Sequence, residues 1–239
     1  NYTQGYFILR YTNKVISITN YEKRLLSSLS KRVDNIEVIP HPVDINKFKI
    51  KKVDKPEFLK EKVVLYVSSL TPWKGADVLF NISRKILKRR KDVSFVFIGR
   101  GPLKENLMKM AKRVSKENYI FLENLTDEEL IKWYNLANIF ALPSYYEAFG
   151  MVLAEAQACC TPCVSTLVGG IPEVVINGKT GLLVEYGDWK RFEENIEYLL
   201  DNPKLAKQMG KAGRRHVEKN FEITKVSQKL YRVYESLVE

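Results

Sequence analysis

A chain of 239 residues with 45% hydrophobic content can bury a sizeable core, as one large domain or as one domain plus a piece of another. No run of 18 or more apolar residues occurs and the first 30 residues lack a signal-peptide pattern, so neither a spanning helix nor a secretory leader is expected. The net charge of +11, from 39 Lys and Arg against 28 Asp and Glu, fits a solvated basic surface or attraction to an anionic membrane. The basic runs do not interleave with aromatics as a nucleic-acid stacking surface would, so no nucleic-acid partner is expected. Only four Gln among many Lys, Glu and Ile lean toward a thermophile. The chain begins at Asn1 rather than Met, so a piece of a longer protein is one expectation.

Residues 13–19 read as a strand and 20–31 as a helix capped by Asn20. Ile36–Ile39 is a short strand ending in Pro40-His41-Pro42-Val43-Asp44, stiffened like a linker. Residues 47–62 then carry seven Lys against three acids. A boundary falls there: 1–40 as the end of one domain, 41–60 as linker and charged stretch, 61–220 as a second domain, 221–239 as a terminal helix. From Val63 the alternation is regular. Strands are expected at 63–67, 93–98, 119–122, 139–142, 163–166 and 180–184. Helices are expected at 76–89, 103–115, 126–136 (Thr126 and Glu129 forming a capping box) and 149–159, with a helical turn at 172–176 and a helix from Pro203. Short apolar strands alternating with helices mean a parallel sheet covered on both faces, an α/β doubly wound fold whose strand order is not readable.

In such sheets ligands sit beyond the C-terminal ends of the strands, which points to loops 68–75, 99–102, 123–126, 143–149 and 167–172. Lys74 precedes a helix and can act as a point charge for phosphate or as a solvated lysine. Gly99-Arg100-Gly101-Pro102 permits a tight turn and close ligand approach, but GxGxxG and Walker A sequences are absent. Gly169-Gly170 before Pro172 suits an anion or a plain turn. Cys160-Thr161-Pro162-Cys163 follows a helix rather than opening one, which favours buried small residues over a redox pair or a metal site. The three cysteines fit a reducing, cytoplasmic compartment, with peripheral attachment to the inner membrane face open through the basic runs.

Glu147 and Glu155 are eight residues apart. Gly150 starts a helix between them, leaving Glu147 just outside its N-terminus and Glu155 about 7–8 Å along it. This spacing suits hydroxyl recognition better than metal chelation. Glu155 sits inside an almost wholly apolar run, where a carboxylate is costly to bury unless a partner hydrogen-bonds to it.

The ordered set Ile39-Pro40-His41-Pro42-Val43-Asp44, Phe48, Lys74-Gly75, Gly99-Arg100-Gly101-Pro102, Pro143-Ser144, Glu147-Ala148-Phe149-Gly150, Glu155-Ala156, Thr161-Pro162, Gly169-Gly170-Ile171-Pro172-Glu173 and Gly178-Lys179-Thr180-Gly181 resembles the C-terminal domain of the glycogen-synthase-like retaining glycosyltransferases. The resemblance runs over about residues 13–237 and implies a Rossmann-like half of the two-domain GT-B fold. It implies a nucleotide-diphosphate sugar (UDP-, GDP- or ADP-sugar) as donor substrate, no tightly bound cofactor and no metal. Residue by residue, it gives Glu155 the ribose hydroxyls, Glu147 the donor-sugar hydroxyls, and Lys74 the diphosphate. It places Ser69, Gly101, Ala148, Phe149, Gly150 and Met151 along the donor, and Leu125 beside the base.

Two positions depart from the family pattern. Ser68-Ser69 replace the usual Gly-Arg clamp, for which Arg100 is a candidate substitute, and Cys160 replaces a common Gly. The acceptor, a sugar or a lipid-linked glycan, would be held by an N-terminal domain of which only about 1–35 is present. The fragment alone is therefore expected to bind donor without transferring it. Rival readings are a sugar-nucleotide epimerase or phosphorylase on the same donor cleft, and a nucleotide-sugar binding protein that has lost catalysis.

Overall fold

The structure, a computed structural model, describes residues 11–29 and 35–238. Its centre is a sheet of six parallel strands: β3 (Lys62–Val67), β4 (Val93–Ile98), β5 (Tyr119–Leu122), β6 (Ile139–Leu142), β7 (Cys163–Thr166) and β8 (Gly181–Val184). Every residue of β4, β6 and β7 is buried, as is β3 from Val63 onward, because helices cover both faces. The half-exposed β5 and β8 lie at the two edges. The order is β5-β4-β3-β6-β7-β8. Successive strands thus step outward from β3 in one direction, then restart on its other side at β6, in register Val64 to Ile139. The connections reverse between β3 and β6, where a doubly wound sheet opens its ligand crevice.

The helices are α2 (Ala76–Arg89), α3 (Lys104–Ser115), α4 (Asp127–Leu136), α5 (Met151–Ala158), the short α6 (Ile171–Val174), α7 (Trp189–Asp201) and α8 (Pro203–Asn220). The capping box opens α4 as expected, with Thr126 and Glu129 bonded reciprocally. Part of the basic run at the end of α2 is ion-paired at the surface. Arg89 reaches Glu193 and Glu197 of α7, Lys85 lies 3.7 Å from Glu193, and Arg90 clamps Asp92 and Asp201. These charges tie two helices together and are not simply a solvated face.

Helix α5 ends in a Schellman motif. The Cys160 N–H bonds the Gln157 carbonyl, and the Thr161 N–H bonds the Ala156 carbonyl. That places Cys160 at φ +62°, the conformation in which the usual glycine is free of strain. Left-handed strain costs about 1–2 kcal/mol, and the extra freedom of an unfolded glycine offsets about half of it. Cys160→Gly is therefore expected to stabilise the chain by about 0.5–1 kcal/mol, raising Tm by roughly 1–3 °C in a calorimetric scan. Cys159 and Cys163 are buried, and burial pushes the Cys159 thiol up to about 12, opposite to what a reactive thiolate needs.

Ahead of this sheet, β1 (Val15–Ser17) and β2 (Ile36–Val38) pair in parallel as a separate two-stranded sheet. Helix α1 (Asn20–Leu29) lies between them in the chain, and the last two residues expected of it, 30 and 31, lie outside the described residues. Its cap is Thr19 rather than Asn20. The Thr19 hydroxyl accepts the Glu22 N–H, and the Glu22 carboxylate returns to the Ile18 N–H. Val43 bonds Phe221 and Ile223 through the backbone, and the last helix, α9 (Ile223–Val238), buries Val226 and Val233 with Ile39 in a small satellite core. Among the described residues no helix is long and apolar enough to cross a membrane.

Candidate functional site

The loops leaving β3 and β6 meet at the point where the connections reverse. In the first, the buried Tyr66 hydroxyl lies 2.9 Å from the Ser69 carbonyl and 3.2 Å from that of Lys74, holding both ends of the loop. Pro72–Lys74 form a 3-10 turn that ends at Gly75 with φ +71°. A Cβ at Gly75 would stand 2.1 Å from the Pro143 carbonyl oxygen, so only glycine lets the two loops touch. The contact sets Lys74 against the second loop. Its Nζ lies 2.8 Å from Glu147 Oε1, which also accepts the Ser144 hydroxyl at 3.2 Å. Glu147 is only 9% exposed.

Behind Glu147 sits the Gly169-Gly170 pair. The Gly170 N–H donates to the Glu147 carbonyl, and a Cβ on Gly169 would lie 1.9 Å from that oxygen. Close backbone approach calls for glycine at both positions, since a Cβ on Gly170 would lie 2.1 Å from the Ala148 carbonyl oxygen, and the Gly170 amide is already engaged. The next carboxylate, Glu173, reaches across to α1, accepting the backbone N–H of Asn20 and Tyr21, each at 2.8 Å, and the Asn20 side chain. Glu173→Ala removes that anchor at a helix N-terminus, where a lost cap costs about 1–2 kcal/mol. Hydrogen exchange of the Asn20 and Tyr21 amides is expected to accelerate while the six-stranded sheet keeps its protection.

A cleft of about 270 Å³ opens over this contact, lined by Ser68, Lys74, Glu147, Ala148, Phe149, Gly150, Met151 and Val152 together with Ile18 and His41. Gly150, at φ +90°, turns the chain into α5, whose first amides have no acceptor within the helix. Five of the expected donor-side residues after β6 thus share one cleft with Lys74. Ser69 does not line it: its side chain is exposed, 3.4 Å from the Thr71 hydroxyl, and Ser68 takes the lining position. Gly101 does not line it either, being pressed against the Leu70 carbonyl, which a Cβ would meet at 2.4 Å. Leu125 is half-buried against the core just before α4. Arg100 leans toward Glu123 at 4.0 Å, with Lys104 on the same carboxylate, outside this lining. Sequence reasoning missed Ile18 and His41 as site residues, although His41 stood in a quoted motif and packs edge-on to Phe149.

Glu155 lies further along α5, and its partner is the fully buried Tyr134 of α4, whose hydroxyl donates to Oε2 at 2.8 Å. Burial raises the Glu155 pKa, and the Tyr134 hydroxyl pulls it back. Asp127 pushes it up further and Lys47, itself paired with Asp127, pulls it down. The carboxylate is thus held by one donor, with hydrogen-bonding capacity to spare. Among the described residues no group of three or more His, Cys, Asp or Glu converges as for a metal.

The sequence model of the glycosyl transferases group 1 family matches residues 47–216, the segment that carries the Lys74–Glu147 contact, the Gly169-Gly170 pair and the Glu155–Tyr134 pair. The chain belongs to that family. It is 34% identical over 183 residues to a D-inositol 3-phosphate glycosyltransferase of Corynebacterium diphtheriae, a match covering 74% of this chain and 43% of that protein. It is 30% identical over 234 residues to a GDP-mannose-dependent monoacylated alpha-(1-6)-phosphatidylinositol monomannoside mannosyltransferase of Corynebacterium glutamicum, covering 92% of this chain and 61% of that one. The structure of sucrose-phosphate synthase from Thermosynechococcus elongatus superposes with a TM-score of 0.87 at 26% identity, over 99% of this chain and 61% of that chain. This group 1 chain therefore has the Rossmann-like half of a GT-B fold and spans about half the length of the curated relatives it matches.

Proposed function

We propose that this chain is the donor-binding part of a retaining hexosyltransferase that moves a sugar from a nucleotide-diphosphate sugar to a glycan, lipid-linked or small polyol acceptor. The observation that carries the reading is the contact of Lys74 with Glu147, 2.8 Å apart where β3 and β6 diverge, at the mouth of an α5 N-terminus. An ammonium has three N–H groups and Glu147 uses one, so Lys74 can hold a diphosphate while it keeps the carboxylate aligned. The α5 amides add partial positive charge for the same anion. Glu147 then offers its second oxygen to donor-sugar hydroxyls, and Glu155, steadied by Tyr134, takes the ribose. Relatives named for inositol phosphate glycosylation and for GDP-mannose-dependent transfer to a phosphatidylinositol mannoside support a polyol or lipid-linked acceptor.

In this mechanism the C1–O bond to the diphosphate breaks as the acceptor hydroxyl bonds C1 on the same face, and its proton passes to the departing diphosphate oxygen. Lys74 stabilises the charge that develops there. Glu147 and Glu155 are binding groups and not the acid and base of a glycosidase pair. The substitution of Ser68-Ser69 for a cationic clamp favours one alternative, a nucleotide-sugar binder without transfer. The full-length protein, incubated with donor and acceptor, is expected to form product with the donor's anomeric configuration by NMR, while this chain alone forms none. Inverted product, or transfer by this chain alone, would overturn the reading.

A further inference from the structure

Beside the Lys74–Glu147 contact runs a feature the donor reading leaves unused. Trp73, Tyr145 and Tyr186 are 66%, 50% and 46% exposed, and they form a continuous edge-to-face ladder. Trp73 meets Tyr145 at 5.3 Å, Tyr145 meets Tyr186 at 5.1 Å, and Tyr186 meets the half-buried Trp189 at 5.0 Å. The rings come from the loops after β3, β6 and β8, at the same C-terminal end of the strands as the donor cleft. They are fixed there, because the Tyr145 N–H bonds the Trp73 carbonyl and Trp189 starts α7, capped by Asp188. Trp73 adjoins Lys74, and Tyr145 is two residues from Glu147. Solvent-exposed aromatic rings in a contiguous row are uncommon on a globular surface and mark a binding face.

We propose that this ladder is a saccharide-binding shelf for neutral oligosaccharide, the class of ligand whose C–H ring faces stack on aromatic rings and whose hydroxyls bond adjacent carboxylates. The charges bordering the rings favour this occupant. Glu185 and Asp188 flank Tyr186, and both are exposed. Lys74 is held by Glu147, and Lys190 leans on Glu194 at 3.9 Å. Arg191 lies 3.4 Å from the same Glu194, so each cation beside the rings faces a carboxylate, whereas an aromatic belt made for an anionic membrane leaves its Lys and Arg free for the headgroups. The shelf deepens the transferase reading, on which its role as a track for acceptor sugars beyond the reacting one rests; binding itself can be read without any transfer.

The test is an array of neutral oligosaccharides probed with this chain, followed by titration of the best binder against the parent, Trp73→Ala and Tyr186→Ala proteins. All three proteins are also titrated with UDP, GDP and ADP and with vesicles of phosphatidylglycerol and phosphatidylcholine. The shelf predicts saturable binding of a neutral oligosaccharide that weakens roughly 3- to 10-fold in each variant, as expected for one lost ring contact. Nucleotide affinity and circular dichroism should stay at parent values, since both side chains are exposed. Absence of any neutral glycan binding, glycan binding unchanged in both variants, or a Trp73-dependent preference for the anionic vesicles each overturns the shelf. Absence of nucleotide binding by the parent would count against the donor site and leave the shelf's own readout intact.

Discussion

Lys74→Ala is expected to weaken binding of nucleoside diphosphates and their sugars by roughly 10- to 100-fold, the worth of a charge-assisted hydrogen bond in a part-buried site. Two effects add. The cation that would meet the diphosphate is gone, and Glu147, almost buried and holding only the Ser144 hydroxyl, becomes an uncompensated carboxylate facing an incoming dianion. Lys74→Arg keeps the charge but not the compact ammonium seated between the two loops, and should recover only part of the affinity. In the full-length protein the loss in kcat should be larger, about 10²- to 10³-fold, because charge on the leaving diphosphate grows toward the transition state. Calorimetry and steady-state kinetics of the same variant separate the two. Nucleoside binding without phosphates should be unchanged, and a variant that binds diphosphates like the parent would remove Lys74 from the site.

Glu155 carries the second large effect, and it has opposite signs for stability and binding. Burial raises the folded-state pKa of this carboxylate above its ordinary value. A carboxyl whose folded pKa is raised binds more protons folded than unfolded over the interval between the two values. Its favourable contribution is therefore complete below the unfolded pKa and is lost as pH rises through the folded one, so at neutral pH ionised Glu155 costs stability. Glu155→Gln keeps an acceptor for the Tyr134 hydroxyl and removes the charge. It is expected to stabilise the chain by about 0.5–2 kcal/mol at neutral pH, with the gain vanishing toward pH 4. The same variant should bind nucleotides roughly 10-fold or more weakly, through the lost ribose contacts. Tyr134→Phe does the reverse to the carboxylate: it strips its hydroxyl donor, costs about 1–3 kcal/mol, and moves the acid limb of nucleotide binding to higher pH. The groups acting on Glu155 in that experiment are Tyr134 and Asp127 of α4 and Lys47, which precedes β3 in the chain. Denaturant melts of both variants between pH 4 and 8 check the signs.

The fold class was legible because the central strands are buried on both faces and so read as short unbroken apolar runs. Strand order was not legible. It depends on pairing between segments far apart in the chain, such as Val64 with Ile139, which no local pattern encodes. For the same reason Lys74 and Glu147 could each be marked as a site residue, but their contact could not, since 73 residues separate them. Glu155 stood out as a lone carboxylate among apolar neighbours. The Tyr134 hydroxyl that makes its burial tolerable lies on another helix, in a segment that reads as ordinary core. The α1 cap was misassigned although its signal was local: the spacing of Thr19 and Glu22 is that of a capping box, displaced by one from Asn20. Glu173 was readable only as the end of a glycine-rich motif, because its partners Asn20 and Tyr21 lie more than 150 residues earlier. The glycine missing at Cys160 was visible in the sequence, whereas the positive φ that makes it matter was not.

The most direct test of the account is calorimetric titration of this chain with UDP-, GDP- and ADP-sugars, the matching bare diphosphates and the nucleosides. The account predicts saturable one-to-one binding of one base series, strongest with the diphosphate present and reduced in both Lys74→Ala and Glu155→Gln. Binding of none of these ligands, or equal binding of nucleoside and nucleoside diphosphate, would contradict the assignment of this cleft as a donor site.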